Sequence, residues 1–145
     1  MINKKSFFFA IIFLLLLLIG TLIFQLLIAS ENNYNASKVE ICIQSNTLIE
    51  AFIDNEKKAN DLYINKLLQV TGVVKEINFL NDKNTLILQS TNYSDSGIIC
   101  DIHKSQIKKL TNIKKHQKVI LKGICKGFLK DVILLDCYID FKINE

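Results

Sequence analysis

Residues 117–139 constrain the fold of this chain most. They hold two runs rich in β-branched and apolar residues, 117–126 and 132–139, on either side of a short turn containing Gly127. Runs of that composition across a glycine-containing turn specify a β-hairpin. Side chains alternate across a strand, so Val119, Leu121 and Cys125 share one face and Lys118, Lys122 and Lys126 the other. The same parity in the second run sets Ile133, Leu135, Cys137 and Ile139 against Leu134, Asp136 and Tyr138.

Three more strand-like runs precede the hairpin: 67–77, 85–89 and 98–102. A turn-like segment at 81–84 separates the first two, a loop at 90–97 the second and third. A short helical or turn segment at 105–110 then leads to the hairpin. Gly72 and Gly123 each stand at the centre of a similar apolar run, 70–74 and 121–125. Glycine weakens a strand interior, so its presence there points to strands that coil sharply around a barrel. Three strands, a helical connection and a closing hairpin follow the order of an OB-fold, a five-stranded barrel. Before the strands, Thr47 and Glu50 have capping-box spacing. Leu48, Phe52, Ala59 and Tyr63 then recur on one helical face, opposite Glu50, Asp54, Asn55, Lys57, Lys58 and Asp61. An amphipathic helix over about 46–60 follows, packed on its own domain.

The first thirty residues are of another kind. Residues 7–29 are apolar apart from Gly20, Thr21 and Gln25, and Lys4 and Lys5 stand before them. At helical rise such a stretch covers roughly 35 Å, enough to cross a bilayer core. The leading lysines hold residues 1–6 in the cytoplasm and send the remainder across. A cleaved signal peptide would have a shorter apolar region and a small residue where Leu27 or Ile28 stands. The expectation is an uncleaved, single-pass signal anchor in the inner membrane at 7–29, a polar linker at 30–38, and an extracytoplasmic domain at 39–143.

A family pattern runs through these elements. Leu48, Ala51, Phe52, Ala59 and Asn60 in the helix, then Tyr63, Lys66, Val70, Thr71 and Gly72, and Cys100 in the third strand, carry part of it. The most specific part is Lys122-Gly123-Ile124-Cys125-Lys126-Gly127, Asp131-Val132 and Leu135-Asp136-Cys137. From about residue 39 to 139 the chain resembles the tRNA_anti-like group of OB-fold domains. The resemblance implies an OB barrel preceded by a helix, in a bacterial envelope protein, and it transfers no catalytic residue. Nucleic-acid binding is suggested only by analogy of fold.

Little else bears on chemistry. The four cysteines, Cys42, Cys100, Cys125 and Cys137, form no Cys-x-x-Cys, so neither a redox motif nor a zinc ribbon is supported. Strand parity makes Cys100, Cys125 and Cys137 small buried hydrophobes. Outside the cytoplasm two of them could pair, and their spacing selects no connectivity. No metal or cofactor is expected, and His103 and His116 read as solvated surface residues. Neither a Gly-x-Ser-x-Gly nor a glycine-rich phosphate loop occurs, so no catalytic residue is assigned and the chain reads as a non-enzyme.

Charge is informative in one place. The chain has 18 Lys, no Arg and 14 acidic residues. Beyond residue 30 the excess of Lys over acids is too small to demand a polyanionic partner. Between residues 102 and 130, however, stand nine Lys and no acid. Lys118, Lys122 and Lys126, with Lys108 and Lys109, could meet phosphates, nucleic acid or anionic lipid heads, although such runs are usually solvated faces. The lack of Arg argues against reading duplex sequence. Single-strand binding would want surface aromatics, for which Phe79, Tyr93, Phe128 and Tyr138 are the candidates. The expected role is a membrane-anchored binding or interaction module whose partner is an envelope protein or polymer, with nucleic acid or another polyanion as the alternative.

Overall fold

The computed structural model describes residues 8, 13–23, 39–80 and 83–142, with backbone alone for the last two. The chain divides into two units, Met1–Asn33 and Tyr34–Glu145. In the first, residues 13–23 are helical and their side chains exposed. Among the described residues no helix is long and apolar enough to cross a membrane. Much of the expected span at 7–29, together with residues 1–6 and the linker at 30–38, lies outside the described residues.

The second unit is built on a long bent strand. Its strands are β1 (Ile41–Gln44), β2 (Leu67–Leu80), β3 (Lys83–Gln89), β4 (Gly97–Ile102), β5 (Lys118–Phe128) and β6 (Val132–Lys142). The first half of β2 pairs antiparallel with β5, from Leu67 opposite Ile124 to Val73 opposite Lys118. Its second half pairs with β3, and a bulge between Val74 and Glu76 lets one strand serve both neighbours. β3 runs antiparallel to β4, β4 parallel to β6, and β6 antiparallel to β5. Strands β2 to β6 therefore close into the five-stranded, OB-like barrel that the order of runs predicted. β1 was not foreseen. It adds parallel to β2, from Ile41 opposite Leu68 to Gln44 opposite Thr71.

The barrel interior is filled by Leu68, Val70, Val74, Leu86, Leu88, Ile98, Cys100, Val119, Leu121, Val132 and Leu134, all fully buried. Each large aliphatic there contributes on the order of 1.5–3 kcal/mol through removal from water. Helix α1 (Ser45–Asp54) adds Leu48, Ile49 and Phe52 to the same core. The Phe52 ring stacks on Phe128 at 5.6 Å and meets Tyr63 at 6.0 Å. Between β4 and β5 a 3₁₀ turn (Lys104–Gln106) and a short helix bring Leu110 and Ile113 into the core.

Three expectations need correction. The helix at 46–60 is two helices, α1 and α2 (Glu56–Tyr63), broken at Asn55. Asn55 takes φ −156°, and its Oδ1 accepts from Lys58 N at 3.0 Å, so it caps the second helix. The capping box does not form. Glu50 instead accepts from Asn92 Nδ2, while Asn46 exchanges hydrogen bonds of 2.8 and 2.9 Å with Thr91. These contacts tie α1 to the loop after β3.

The parity in β6 also differs. Val132 and Leu134 point inward, and then Asp136, at φ +51°, breaks the alternation so that Cys137 and Ile139 also face the core. Gly72 and Gly123 stand in strands that close the expected barrel, and they also make room for side chains. A Cβ at Gly72 would stand 2.8 Å from Ser45 Oγ, and one at Gly123 2.6 Å from Cys137 Sγ.

Candidate binding surface

The lysines of the predicted row occupy unequal positions. Lys122 is half-buried, and its Nζ lies 3.0 Å from Asp140 Oδ2. Lys126 is exposed but donates to Asn65 Oδ1 at 2.9 Å, and Lys109 donates to the Ile139 carbonyl at 3.2 Å. Lys118 is half-buried and Lys108 exposed. The outward face of β5 thus has the predicted alternation, but its central cation is neutralised by β6. Around the connection from β4 to β5, Lys104, Lys114 and Lys115 are exposed, as is Lys130 beyond β5.

The four candidate aromatics are separated by burial. Tyr138 is buried and its ring stacks on His103, with centroids 4.8 Å apart. Phe128 lies against Phe52, and Tyr93 packs on the core from the loop after β3. Phe79 alone of the four is exposed, at 55%, and Leu80 beside it is exposed at 70%. Both stand where β2 runs out to its hairpin with β3. With Asn78, Lys83 and Thr85 they line an open groove of about 580 Å³. Two amides or hydroxyls, one cation and two apolar side chains can bind a mixed surface, with the ring and the leucine supplying area and the others orientation. Sequence reasoning named Phe79 as one surface candidate of four. The neighbouring Leu80 and the groove were not anticipated, because turn residues carry no periodic signal.

His116 is exposed, as expected, whereas His103 is half-buried and pairs its Nδ1 with Ser105 Oγ at 2.8 Å. Cys42 is exposed, and Cys100, Cys125 and Cys137 are buried; all four are free thiols. Burial pushes the Cys125 thiol up, opposed by the Gly127 amide and the Lys126 charge. Burial pushes Cys137 well above the ordinary thiol range, and the Cys100 side chain adds to the effect; the Cys137 Sγ donates to the Leu134 carbonyl at 3.5 Å. Protonated, enclosed thiols of this kind are poor nucleophiles.

The sequence profile of the tRNA_anti-like family matches residues 1–139. No curated protein matches the chain. Among solved structures, the chain is similar to a lipoprotein of Klebsiella pneumoniae provisionally assigned to nucleic-acid binding. The two share 14% identity over 67% of this chain and 89% of that one, with a TM-score of 0.55, which establishes likeness of fold. An OBody bound to hen egg-white lysozyme gives 12% identity over 58% of this chain and 84% of that one, at 0.47. The S. pombe Stn1-ten1 complex gives 16% over 50% of this chain and 57% of that one, at 0.41.

Proposed function

The chain belongs to the tRNA_anti-like family, and on that premise we propose that it is a membrane-anchored binding module without catalytic activity. In this reading residues 1–6 stay in the cytoplasm, 7–29 anchor the chain in the inner membrane, and 30–38 tether the barrel outside the cytoplasm. The barrel then engages a protein or polymer of the envelope.

One observation carries the reading: the adjacent exposure of Phe79 and Leu80 along the groove at the β2–β3 hairpin. Contiguous exposed apolar surface with polar groups beside it is the usual mark of an interaction site. The anchor rests on the apolar run and on the lysines before it. The test is cross-linking in intact cells. The full-length chain should give a specific adduct that Phe79→Ser with Leu80→Ser removes. The absence of any specific adduct sinks the reading. A reporter fused after Glu145 tests the topology, since activity in the cytoplasm overturns the anchor.

A second reading is binding of nucleic acid or another polyanion through the lysines of 102–130. Lys104, Lys108, Lys114, Lys115, Lys126 and Lys130 are exposed there. Against it stand the Lys122–Asp140 ion pair, the burial of Tyr138 and the packing of half-buried Tyr93 and Phe128 on the core. Salt-sensitive retention of single-stranded oligonucleotides by the full chain would favour it over the first reading.

A further inference from the structure

The groove at the β2–β3 hairpin continues onto the barrel wall. Thr85, which lines it, stands opposite Asp101 on β4. Two residues further along these strands Ile87 stands opposite Ile99, and Ile99 in turn opposite Ile133 on β6. Paired residues point to one face of a sheet, and residues two apart share that face. The inward face is taken by Leu86, Leu88, Ile98, Cys100, Val132 and Leu134, all fully buried. Ile87, Ile99 and Ile133 therefore form a row on the outside, each half-buried. It crosses three strands, a distance of roughly 10 Å.

Cross-strand isoleucine pairs stabilise a sheet by themselves, so the row alone names no occupant. The carboxylates beside it do. Asp101 is half-buried next to Ile99 on this face, and exposed Glu76 stands opposite Ile87 at the end of the row. Neither has an ion-pair partner among the described residues, and Lys83, two residues beyond Thr85 on the same face, does not reach Asp101. A surface that covers the isoleucines also strips water from Asp101, and a buried carboxylate without a cation is strongly unfavourable. A polyanion adds like charge there, as does a second copy laid face to face with its own Asp101 and Glu76.

We propose that the groove and this outer face of β3, β4 and β6 are one docking surface for a protein segment of mixed character. Its apolar side chains cover Ile87, Ile99 and Ile133, and its Lys or Arg pairs with Asp101. The inference rests on the reading of the groove as a binding site and adds the chemistry of the partner. Apolar contact supplies affinity, while the cation over Asp101 sets the register and keeps nucleic acid off this face.

Three defined probes test it on the full-length chain in detergent, read by the methyl resonances of isoleucine, leucine and threonine. They are a short peptide with an isoleucine-valine centre and lysine ends, the same centre with glutamate ends, and a single-stranded oligonucleotide. The lysine-ended peptide should shift the methyls of Ile87, Ile99 and Ile133, and the glutamate-ended one should bind about tenfold more weakly. The isosteric Asp101→Asn should erase that difference and Asp101→Lys invert it, with the peptide-free spectra showing that each barrel is intact. Equal binding of the two peptides by the parent, or a preference that Asp101→Asn leaves unchanged, overturns the proposal. So does a shift of the row caused by the oligonucleotide, or by raising the protein concentration alone. Shifts at Leu80 and Thr85 with the isoleucines unmoved also overturn it, but leave the groove as a site. Silence at Leu80 and Thr85 as well removes the groove reading with it.

Discussion

Lys122 Nζ and Asp140 Oδ2 lie 3.0 Å apart across the β5–β6 hairpin, with side chains only 15% and 16% exposed. That pair takes the centre of the lysine row out of the field presented to solvent. Asp140→Asn leaves the shape almost unchanged and frees the Lys122 charge. If the row is a solvated face, retention of single-stranded oligonucleotides at low salt should be the same for the variant and the parent. A clear gain in retention would restore the polyanion reading. Asp140→Ala should also cost about 1–3 kcal/mol in a denaturant titration, between the values for exposed and buried pairs.

The pair also marks the limit of what the sequence disclosed. The five barrel strands were legible because each is an apolar run bounded by turn residues, and the closing hairpin carried a specific family pattern. β1 was missed because Ile41–Gln44 is only four residues long and draws its stability from a neighbour distant in sequence. The inward set of β6 was misread at Ile133, Leu134, Leu135 and Tyr138, since period-two reasoning cannot foresee the backbone turn at Asp136. The division of the helix at Asn55 hung on one side chain satisfying Lys58 N. At the surface, residue types alone did not separate Phe79 from Tyr93, Phe128 and Tyr138. Their burial is decided by tertiary contacts with Phe52, His103 and the core.

Gly123 gives a sharper test of packing. A Cβ there would meet Cys137 Sγ at 2.6 Å, with Leu134 Cβ and the Leu135 carbonyl each at 3.3 Å. Gly123→Ala should therefore destabilise the reduced chain by about 1–3 kcal/mol. Cys137→Ala removes the sulfur that is in the way, so the two changes together should cost less than the sum of each alone. A double-mutant cycle measures that coupling. Strict additivity would mean that the sulfur does not set the need for glycine.

Alkaline pH should weaken the reduced chain through its buried thiols. The thiols of Cys125 and Cys137 are held above the ordinary value of 9.0 by burial. Above that value the unfolded chain releases these protons while the folded chain keeps them. The unfolded state then binds fewer protons, and stability falls as pH rises through the folded-state values. Below 9.0 the contribution is fully present. The slope approaches about 1.4 kcal/mol per pH unit for each thiol. Denaturant midpoints of the reduced chain should fall between about pH 7 and about pH 10, and fall less in Cys125→Ala with Cys137→Ala. Equal slopes in the two proteins would refute the assignment.

Asn55 joins α1 to α2, and its side chain accepts from Lys58 N at 3.0 Å. Asn55→Ala should cost about 0.5–2 kcal/mol, whereas Asn55→Asp should keep most of the stability because aspartate caps equally well. Thermal unfolding of the three proteins is sufficient to decide it. An alanine variant as stable as the parent would remove the cap from the account.

The central claim concerns the hairpin of β2 and β3, and a photo-reactive amino acid in place of Phe79 tests it most directly. The full-length chain is irradiated in its own membrane, with the same probe at exposed Leu62 on α2 as the control. A binding module that works through this groove should give one or a few discrete adducts from position 79 and none from position 62. The same pattern from both positions, or no adduct from position 79, would contradict it.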